Sequence, residues 1–190
     1  LLLLLRYQLL DSLCPDAAHF IEKEPRFKKL VTQAMGNTDQ RVKDGRHVTP
    51  AFLLAALLWP VVQTRADNLI RGGEAAAQAL HSAGQQVIAE TCQKMAIPKR
   101  FSYPVREIWE LQTRLERKQP KRVKDLIADR RFRAAYDLLL LREESSEALD
   151  NAGKFWEQQQ LEHPELVGTA PPRTEARPPR RRRPRRKKED

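Results

Sequence analysis

The chain has 190 residues, of which 41% are hydrophobic, and this is enough for one ordinary core with room for a smaller appended unit. Its 35 basic and 25 acidic side chains leave a net charge of +10, which favours a polyanion such as nucleic acid as the partner, with an anionic membrane surface as the alternative. Two well-separated cysteines exclude a disulfide framework, and the opening leucine run meets Arg6 too soon to span a membrane.

Strand signals are nearly absent, and helix-forming residues bounded by prolines and capping residues dominate the sequence. We therefore predict an all-α fold, an irregular bundle of about seven to eight helices. The chain opens within a leucine run, which we interpret as a helix cut in mid-run. We expect this chain to be the C-terminal piece of a longer protein.

The first half of the chain contains two well-marked helices. Pro25 begins one, whose apolar residues recur at helical spacing, and Gly36-Asn37 is predicted to end it. Pro50 begins the other, which is apolar on nearly every side and should be the central buried helix. Pro60 is expected to kink or end that helix.

Three further helices are predicted before residue 125. A long one covers residues 74–97 with Gly84 as a soft point inside it. Ser102 can cap the next, which runs to about Lys118, and Pro120 begins a short one.

The last two helices also have clear start signals. Asp129 is predicted to cap a strongly periodic helix, and Asp150 or Asn151 begins a final one that ends at Pro164. Beyond about residue 168 the composition changes to Pro, Arg and Lys without apolar periodicity, which predicts a disordered tail.

The positive charge is concentrated in two segments. Residues 94–133 carry thirteen basic and five acidic groups, and residues 171–190 carry ten and three, whereas residues 134–170 carry two and eight. The tail has eight cations in the nine residues Arg180–Lys188. It would add sequence-independent affinity for phosphate, attract a membrane surface, or serve only as a solubilising end.

Cations recur at predicted helix starts, where the helix dipole disfavours each of them by about 0.3–1 kcal/mol. They are Lys121, Arg122 and Lys124 after Pro120; Arg130, Arg131 and Arg133 after Asp129; and Arg26, Lys28 and Lys29 after Pro25. A phosphate would turn this cost into a gain by accepting hydrogen bonds from the side chains and the backbone. The alternative is that these cations are solvated or paired with Glu143, Glu144 and Glu147.

One helix also presents a basic face. On a helical wheel of residues 103–118, Arg106, Arg114 and Arg117 fall within one arc opposite the apolar residues. Glu110 lies among them and is the expected partner of Arg106 or Arg114. This face is predicted to bind or to be solvated while the other packs.

Aromatic residues could stack on unpaired bases. Phe101 and Tyr103, in a basic loop between two predicted helices, are the best candidates for this role. The three tryptophans are expected in the core.

Catalytic motifs are missing from the sequence. It has no Gly-rich phosphate loop, no GxSxG, and no Gly-Ser followed by an Asp-x-Asp pair of the kind that holds two magnesium ions. The four histidines fall into no metal-ligand spacing. We therefore predict no catalytic residue and no metal ligand, and the two isolated thiols fit a reducing cytoplasm.

Three motifs, taken in chain order, resemble a known family. They are IPKR at Ile97–Arg100, IWELQTR at Ile108–Arg114 and FRAAYDLLLLR at Phe132–Arg142, within the matching stretches Asn37–Trp59 and Cys92–Arg142. With the Arg/Pro-rich end, these residues resemble the C-terminal half of the bacterial poly(A) polymerase I family, which is related to the tRNA CCA-adding enzymes.

The resemblance implies an all-helical RNA-binding body that follows a nucleotidyltransferase head, in an enzyme that adds adenylates from ATP to RNA 3′ ends with magnesium. The head, with its two metal-binding aspartates, is missing from this chain, so ATP and magnesium are implied only for the head, and this piece alone is expected to be inactive. Residues 1–35 would end a helical neck or RNA-binding domain, residues 36–167 would form the arginine-rich C-terminal domain, and residues 168–190 the disordered tail.

We expect single-stranded RNA 3′ ends as the partner, with RNA-processing proteins as further candidates. The candidate RNA-binding residues are Lys99, Arg100, Arg106, Arg114, Arg117, Lys121, Arg122, Lys124, Arg130, Arg131, Arg133, Arg180, Arg181, Arg182 and Arg183. The alternative is a non-enzymatic helical scaffold that binds RNA or a partner protein through its basic surface and tail. A DNA-binding module is disfavoured because no helix-turn-helix spacing stands out.

Overall fold

The structure is a computed structural model that describes residues 9–46, 48–167 and 169. Across these residues the backbone forms nine α-helices and two short 3₁₀ helices without any strand, which confirms the all-α prediction. The opening leucine run and the tail beyond residue 169 lie outside the described residues. The α-helices are α1 (Leu9–Leu13), α2 (Pro15–Lys23), α3 (Pro25–Lys43), α4 (Pro50–Arg71), α5 (Ala76–Lys94), α6 (Lys99–Glu116), α7 (Val123–Ala128), α8 (Phe132–Glu144) and α9 (Ala152–Glu162). The 3₁₀ helices are Pro120–Arg122 and Pro164–Leu166.

The central helix of the bundle is α4, as its uninterrupted apolar pattern predicts. It packs against α2, α3, α5, α6 and α8. Pro60 is buried inside α4, and the helix continues beyond it to Arg71, so the proline does not end the helix. Burial of apolar residues on both sides of Pro60 outweighs the roughly 3 kcal/mol that an interior proline costs a helix.

Two predicted helix boundaries are wrong. The helix that begins at Pro25 continues through Gly36 and ends at Lys43, because its buried face extends to Thr38, whose hydroxyl donates to the Ala34 carbonyl at 2.8 Å. Ser102 does not cap a helix, since α6 already begins at Lys99. The domain boundary expected at residue 35 falls inside α3, and the division into domains stays a prediction.

The later start signals lie close to the observed helix starts. The Asp129 carboxylate accepts a hydrogen bond from the backbone N–H of Arg131 at 2.9 Å in the turn before α8, but the N-cap residue is Arg131 itself. Asn151, with a left-handed φ of 55°, is the N-cap residue of α9, as predicted.

A buried polar network joins α8 to α6 and α4. Arg142 of α8, only 3% exposed, donates to Gln112 at 2.9 Å and to Glu147 at 2.9 and 2.5 Å, and it lies 2.7 Å from Glu116. Its guanidinium also stacks over the Trp59 ring at 4.5 Å. This network holds α8 in place, and the start of α8 carries the most concentrated predicted site.

Candidate nucleic-acid interface

Two of the three arginines at the start of α8 share one carboxylate. Arg131 Nε donates to Glu107 of α6 at 2.9 Å, and Arg130 Nη2 lies 3.3 Å from both oxygens of the same carboxylate. Burial of Glu107 opposes its ionisation, but the hydrogen bond from Arg131 and the charge of Arg130 outweigh that effect, so the pKa of Glu107 is lowered. Glu107 therefore stays ionised and holds both guanidiniums in position.

The helix start itself is less open to an anion than the sequence suggested. The Asp129 carboxylate already accepts the backbone N–H of Arg131, so this N–H group is satisfied within the chain. An incoming phosphate at this end of α8 would meet the arginine side chains rather than free backbone N–H groups. The arginine side chains, rather than the helix dipole, would therefore supply most of the attraction for a phosphate at this position.

A groove of about 510 Å³ lies beside these arginines, and we call it the α3–α8 groove. It is bounded by the C-terminal half of α3, the start of α4 and α8, and five arginines and three carboxylates are among its lining residues. The lining residues are Asn37, Thr38, Gln40, Arg41, Asp44, Arg46, Val48, Thr49, Ala51, Phe52, Ile108, Arg130, Arg131, Arg133, Ala134, Asp137, Leu140, Leu141 and Glu144. The groove combines a basic rim with buried apolar residues.

Two of the five arginines, Arg41 and Arg46, are absent from the sequence-predicted site. Arg41 is half-buried and forms no ion pair with a carboxylate of the described residues, whereas Arg46 is exposed and lies 4.0 Å from Asp44. Basic residues near a helix C-terminus are ordinary, because they complement the helix dipole. Nothing in the local pattern therefore distinguished these arginines, and only the packing of α3 on α8 places them in a site.

Asp137 is the most deeply placed carboxylate of the groove. Burial raises its pKa, while Arg133, at 3.1 Å, and the more distant Arg41 partly oppose that shift. The acidic group thus reduces the positive charge of the groove at neutral pH.

The start of α6 alternates arginines and aromatic rings. The Arg100 guanidinium lies 4.9 Å from the Phe101 ring centre, and that of Arg106 lies 4.8 Å from the Tyr103 ring centre. Tyr103 is 42% exposed, whereas Phe101 and Arg106 are half-buried. Lys99, also at this helix start, is exposed. Tyr103 is thus the more accessible of the two predicted stacking residues.

The predicted basic face of α6 is divided by acidic neighbours. Arg114 lines a second cavity of about 260 Å³ together with Glu107, Glu110, Leu111 and Asp129. The Glu110 carboxylate contacts the His81 ring at 2.9 Å. This contact to α5 is one that a helical wheel cannot show, and the expected pairing of Glu110 with Arg106 or Arg114 stays a prediction.

Arg117 and the cations after Pro120 occupy exposed positions. Arg117 follows α6, Lys121 and Arg122 lie in the 3₁₀ helix, and Lys124 is in α7. Arg122 forms an exposed ion pair of 3.3 Å with Asp125. Because these side chains are open to solvent, they are available to a ligand, but none of them lines the α3–α8 groove.

The cations at the start of α3 have contacts of their own. Arg26 pairs with Glu24 at 2.8 Å and stacks over Phe27 at 4.3 Å. Lys29 donates to the backbone carbonyl of Glu144, near the C-terminus of α8, where a cation is favourable. Lys28 is exposed. This helix start therefore serves packing more than anion binding.

Two of the three residues in the acidic block that could have neutralised the predicted site are engaged elsewhere. Glu147 bonds to Arg142 and Gln63, and the Glu143 carboxylate accepts the backbone N–H of Gly153 at 3.1 Å. Glu144 is exposed at the rim of the α3–α8 groove. The α8 cations are paired instead with Glu107 and, for Arg133, with Asp137.

The remaining sequence predictions concern absences and the tail. Arg180, Arg181, Arg182 and Arg183 lie outside the described residues. Among the residues that the structure describes, no helix is long and apolar enough to cross a membrane. The three tryptophans are buried, and two of them hydrogen-bond to backbone carbonyls of neighbouring helices, as expected for core residues.

Comparison with known proteins identifies the family. A family model described as the polymerase A arginine-rich C-terminus matches residues 72–189. Poly(A) polymerase I of Escherichia coli O6:H1 is 36% identical over 197 residues, which cover 97% of this chain and 42% of that protein. This chain belongs to the poly(A) polymerase arginine-rich C-terminus family.

Further relatives support the same assignment. Poly(A) polymerase I of Salmonella typhi is 34% identical, with 95% of this chain and 42% of the relative covered. That of Haemophilus influenzae is 33% identical, with 86% and 37% covered. The chain thus spans about two fifths of the length of these poly(A) polymerases and matches their C-terminal part. The resemblance seen in the sequence is confirmed.

The family's motifs have mainly structural roles in this chain. Gln112 of IWELQTR donates to the Ala135 carbonyl at 3.0 Å and accepts from Arg142, the last residue of FRAAYDLLLLR. Trp109 of the same motif donates to the Ala55 carbonyl at 3.0 Å. The motifs by which the poly(A) polymerase family is recognised therefore fix the packing of α4, α6 and α8.

Proposed function

We propose that this chain is the RNA-binding C-terminal part of a template-independent poly(A) polymerase, which adds adenylates from ATP to RNA 3′ ends. Membership of the arginine-rich family supports this function. The observation that carries it is the α3–α8 groove, in which five arginines from two helices and their adjoining loops converge with three lining carboxylates and with Glu107, which pairs with two of them. Such a concentration of guanidiniums suits the phosphates of a nucleic acid.

The catalytic step is proposed to lie in the part of the polymerase that this chain does not cover. That part would bind ATP and magnesium, and the present chain would hold the RNA primer. We further propose a cytoplasmic location, which the two isolated thiols fit, and RNA-processing proteins as additional partners. A Gly-Ser and Asp-x-Asp motif encoded upstream of Leu1 would support this division, and its absence from the full reading frame would contradict it.

The RNA-binding function can be tested by fluorescence anisotropy with a labelled single-stranded oligoadenylate. We expect micromolar or weaker binding that falls steeply with salt, with a slope of about −0.7 for each neutralised phosphate. A variant with charge reversals at Lys121, Arg122, Arg131 and Arg133 should bind more weakly, even when residues 171–190 are removed. Circular dichroism checks that the variants remain folded.

Two exposed lysines provide a control that reverses half as many charges. Lys23, at the end of α2, and Lys154, in α9, are exposed and distant in sequence from the candidate residues. Their reversal changes the net charge without touching the α3–α8 groove, so affinity should change little. If only removal of the tail weakens binding, the folded surface is not the binder, and the scaffold alternative is favoured. Binding that is insensitive to salt would contradict the electrostatic basis altogether.

A further inference from the structure

The α3–α8 groove differs from a simple basic surface in its shape and lining. Besides the arginines its lining includes the half-buried apolar residues Phe52, Ala134 and Leu140. A surface that only neutralises phosphates needs no apolar recess, because phosphate contacts are made at the exposed rim. The apolar part of the groove therefore points to a ligand that carries a flat or apolar group as well as an anion.

The size of the groove limits what can enter it. Its volume of about 510 Å³ falls in the range of pockets that hold small organic ligands, roughly 300–1,000 Å³. This is enough for a nucleotide unit but not for a double helix, whose bases are stacked and paired. Single-stranded RNA is usually recognised through bases that leave the stack and enter such recesses.

Two polar residues of the groove have unused hydrogen-bonding capacity. The exposed Asn37 amide forms no hydrogen bond with the described residues, so its donor and its acceptor are open to a ligand. Arg41 is half-buried and forms no ion pair among the described residues, and only the more distant Asp137 carboxylate balances part of its charge. A guanidinium in that position is stabilised when an anion joins it.

We propose that the α3–α8 groove is a nucleotide subsite, which takes one unpaired nucleotide of the bound RNA. Its phosphate contacts Arg41 and Arg133, on opposite walls, and its base enters the recess beside Asn37. This proposal rests on the proposed RNA-binding function and adds a defined position to it. It also makes Arg41 and Arg46, which precede the matched family region at residue 72, part of the RNA-binding surface.

Filling the groove without changing its charge separates this proposal from general electrostatic attraction. Ala134 of α8 and Asn37 of α3 line opposite walls, and neither carries a charge. Ala134→Phe and Asn37→Trp should each weaken binding of oligoadenylate to the full chain by at least about fivefold, because one stacked base is lost. Ala148→Phe, at an exposed position outside the groove, is the control and should leave affinity unchanged.

A charge-matched pair tests the rim of the groove. Arg41→Ala and Lys43→Ala remove one positive charge each from the last turns of α3, but only Arg41 lines the groove. We expect Arg41→Ala to weaken binding several-fold more than Lys43→Ala. Equal effects would mean that the contribution of Arg41 is only its charge, and this would contradict the subsite.

NMR titration of the full chain gives a readout that does not depend on RNA. AMP should shift the amide signals of groove residues, whereas ribose 5-phosphate, which lacks the base, should shift them much less, and Ala134→Phe should abolish the AMP shifts. The nucleotide subsite is overturned if Ala134→Phe and Asn37→Trp both bind RNA as tightly as the unmodified chain. It is also overturned if AMP and ribose 5-phosphate shift the amide signals equally. In either case the proposed RNA binding stands. If the unmodified chain binds no RNA, the proposed function itself fails.

Discussion

The Glu107 carboxylate of α6 lies 2.9 Å from Nε of Arg131, the residue immediately before α8. Arg130 shares the same carboxylate, so one acidic side chain restrains two of the groove's five arginines. Since Glu107 is ionised at neutral pH, an RNA phosphate at the proposed site would compete with it for both guanidiniums. Glu107 positions the arginines, and in the proposed function it would also limit the affinity for RNA.

Replacing Glu107 by glutamine should strengthen RNA binding while weakening the fold. The amide cannot neutralise Arg130 and Arg131, so we expect a steeper salt dependence, with about 0.7 added to the slope for each additional phosphate contact. The free energy of unfolding should fall by about 1 kcal/mol, as for a partly buried charged hydrogen bond. Anisotropy and urea unfolding measure the two effects.

The pH dependence of this variant follows from the lowered pKa of Glu107. A carboxyl whose pKa is lowered by folding stabilises the protein above its ordinary pKa, and this contribution is lost as the pH falls through the lowered value. The stability difference between the wild type and Glu107→Gln should therefore be present at neutral pH and shrink below about pH 4. Glu22→Gln, at an exposed position of α2, is the control. An equal increase in RNA affinity for both variants would mean that only net charge matters.

Asp137→Asn should have the opposite pH dependence. Because burial raises the pKa of Asp137, its stabilising contribution is present at low pH and is lost as the pH rises through the raised value. The asparagine variant escapes this loss, so its stability relative to the wild type should be greater at about pH 7 than at about pH 3. Urea unfolding at both pH values measures this difference.

The same substitution removes a negative charge from the groove, so RNA affinity at neutral pH should rise. Asp39→Asn, an exposed position of α3 outside the groove lining, is the control for net charge. A relative stability that does not change with pH would show that the ion pair with Arg133 compensates for the burial of Asp137.

Two glycines inside helices should respond differently to alanine. A Cβ atom on Gly84 of α5 would lie 3.2 Å from the Trp109 ring, which is fixed by its hydrogen bond to Ala55. Gly84→Ala should therefore destabilise the protein, by about 1–3 kcal/mol, despite the better helix propensity of alanine. Apart from the adjoining backbone of α3, no atom of the described residues lies within 4 Å of a Cβ placed on Gly36, so Gly36→Ala should stabilise the protein by up to about 1 kcal/mol. Thermal unfolding distinguishes the two variants, and equal shifts in their melting temperatures would contradict this packing argument.

The sequence predicts those parts of the fold whose signals are local. The apolar helix after Pro50 is central, and Asp129 and Asn151 mark the last two long helices, because such signals need only a few neighbouring residues. The end of α3 was misplaced because tertiary burial up to Thr38 outweighed the glycine at position 36.

The candidate site depends on contacts between distant residues, and these were predicted less well. The cations at the start of α8 are visible in the sequence, but their pairing with Glu107, more than twenty residues earlier, is not. Arg41 lies about ninety residues before Arg133, and periodicity gives no sign that the two helices meet. Only the crossing of α3 and α8 turns separate basic stretches into one groove.

Arg142 should be needed for stability rather than for RNA binding. It is 3% exposed, contacts Glu116 at 2.7 Å and Glu147 at 2.5 Å, and stacks on Trp59. Arg142→Met leaves both carboxylates without their buried partner, so we expect a loss of about 3–5 kcal/mol in the free energy of unfolding. Arg142→Lys keeps the charge but cannot contact both carboxylates as the planar guanidinium does. Its free energy of unfolding should therefore lie between those of the wild type and Arg142→Met. Urea unfolding ranks the stability of these variants, and Lys154→Met, at an exposed position, is the control. If Arg142→Met is as stable as the wild type, apolar packing alone holds α8 on the core.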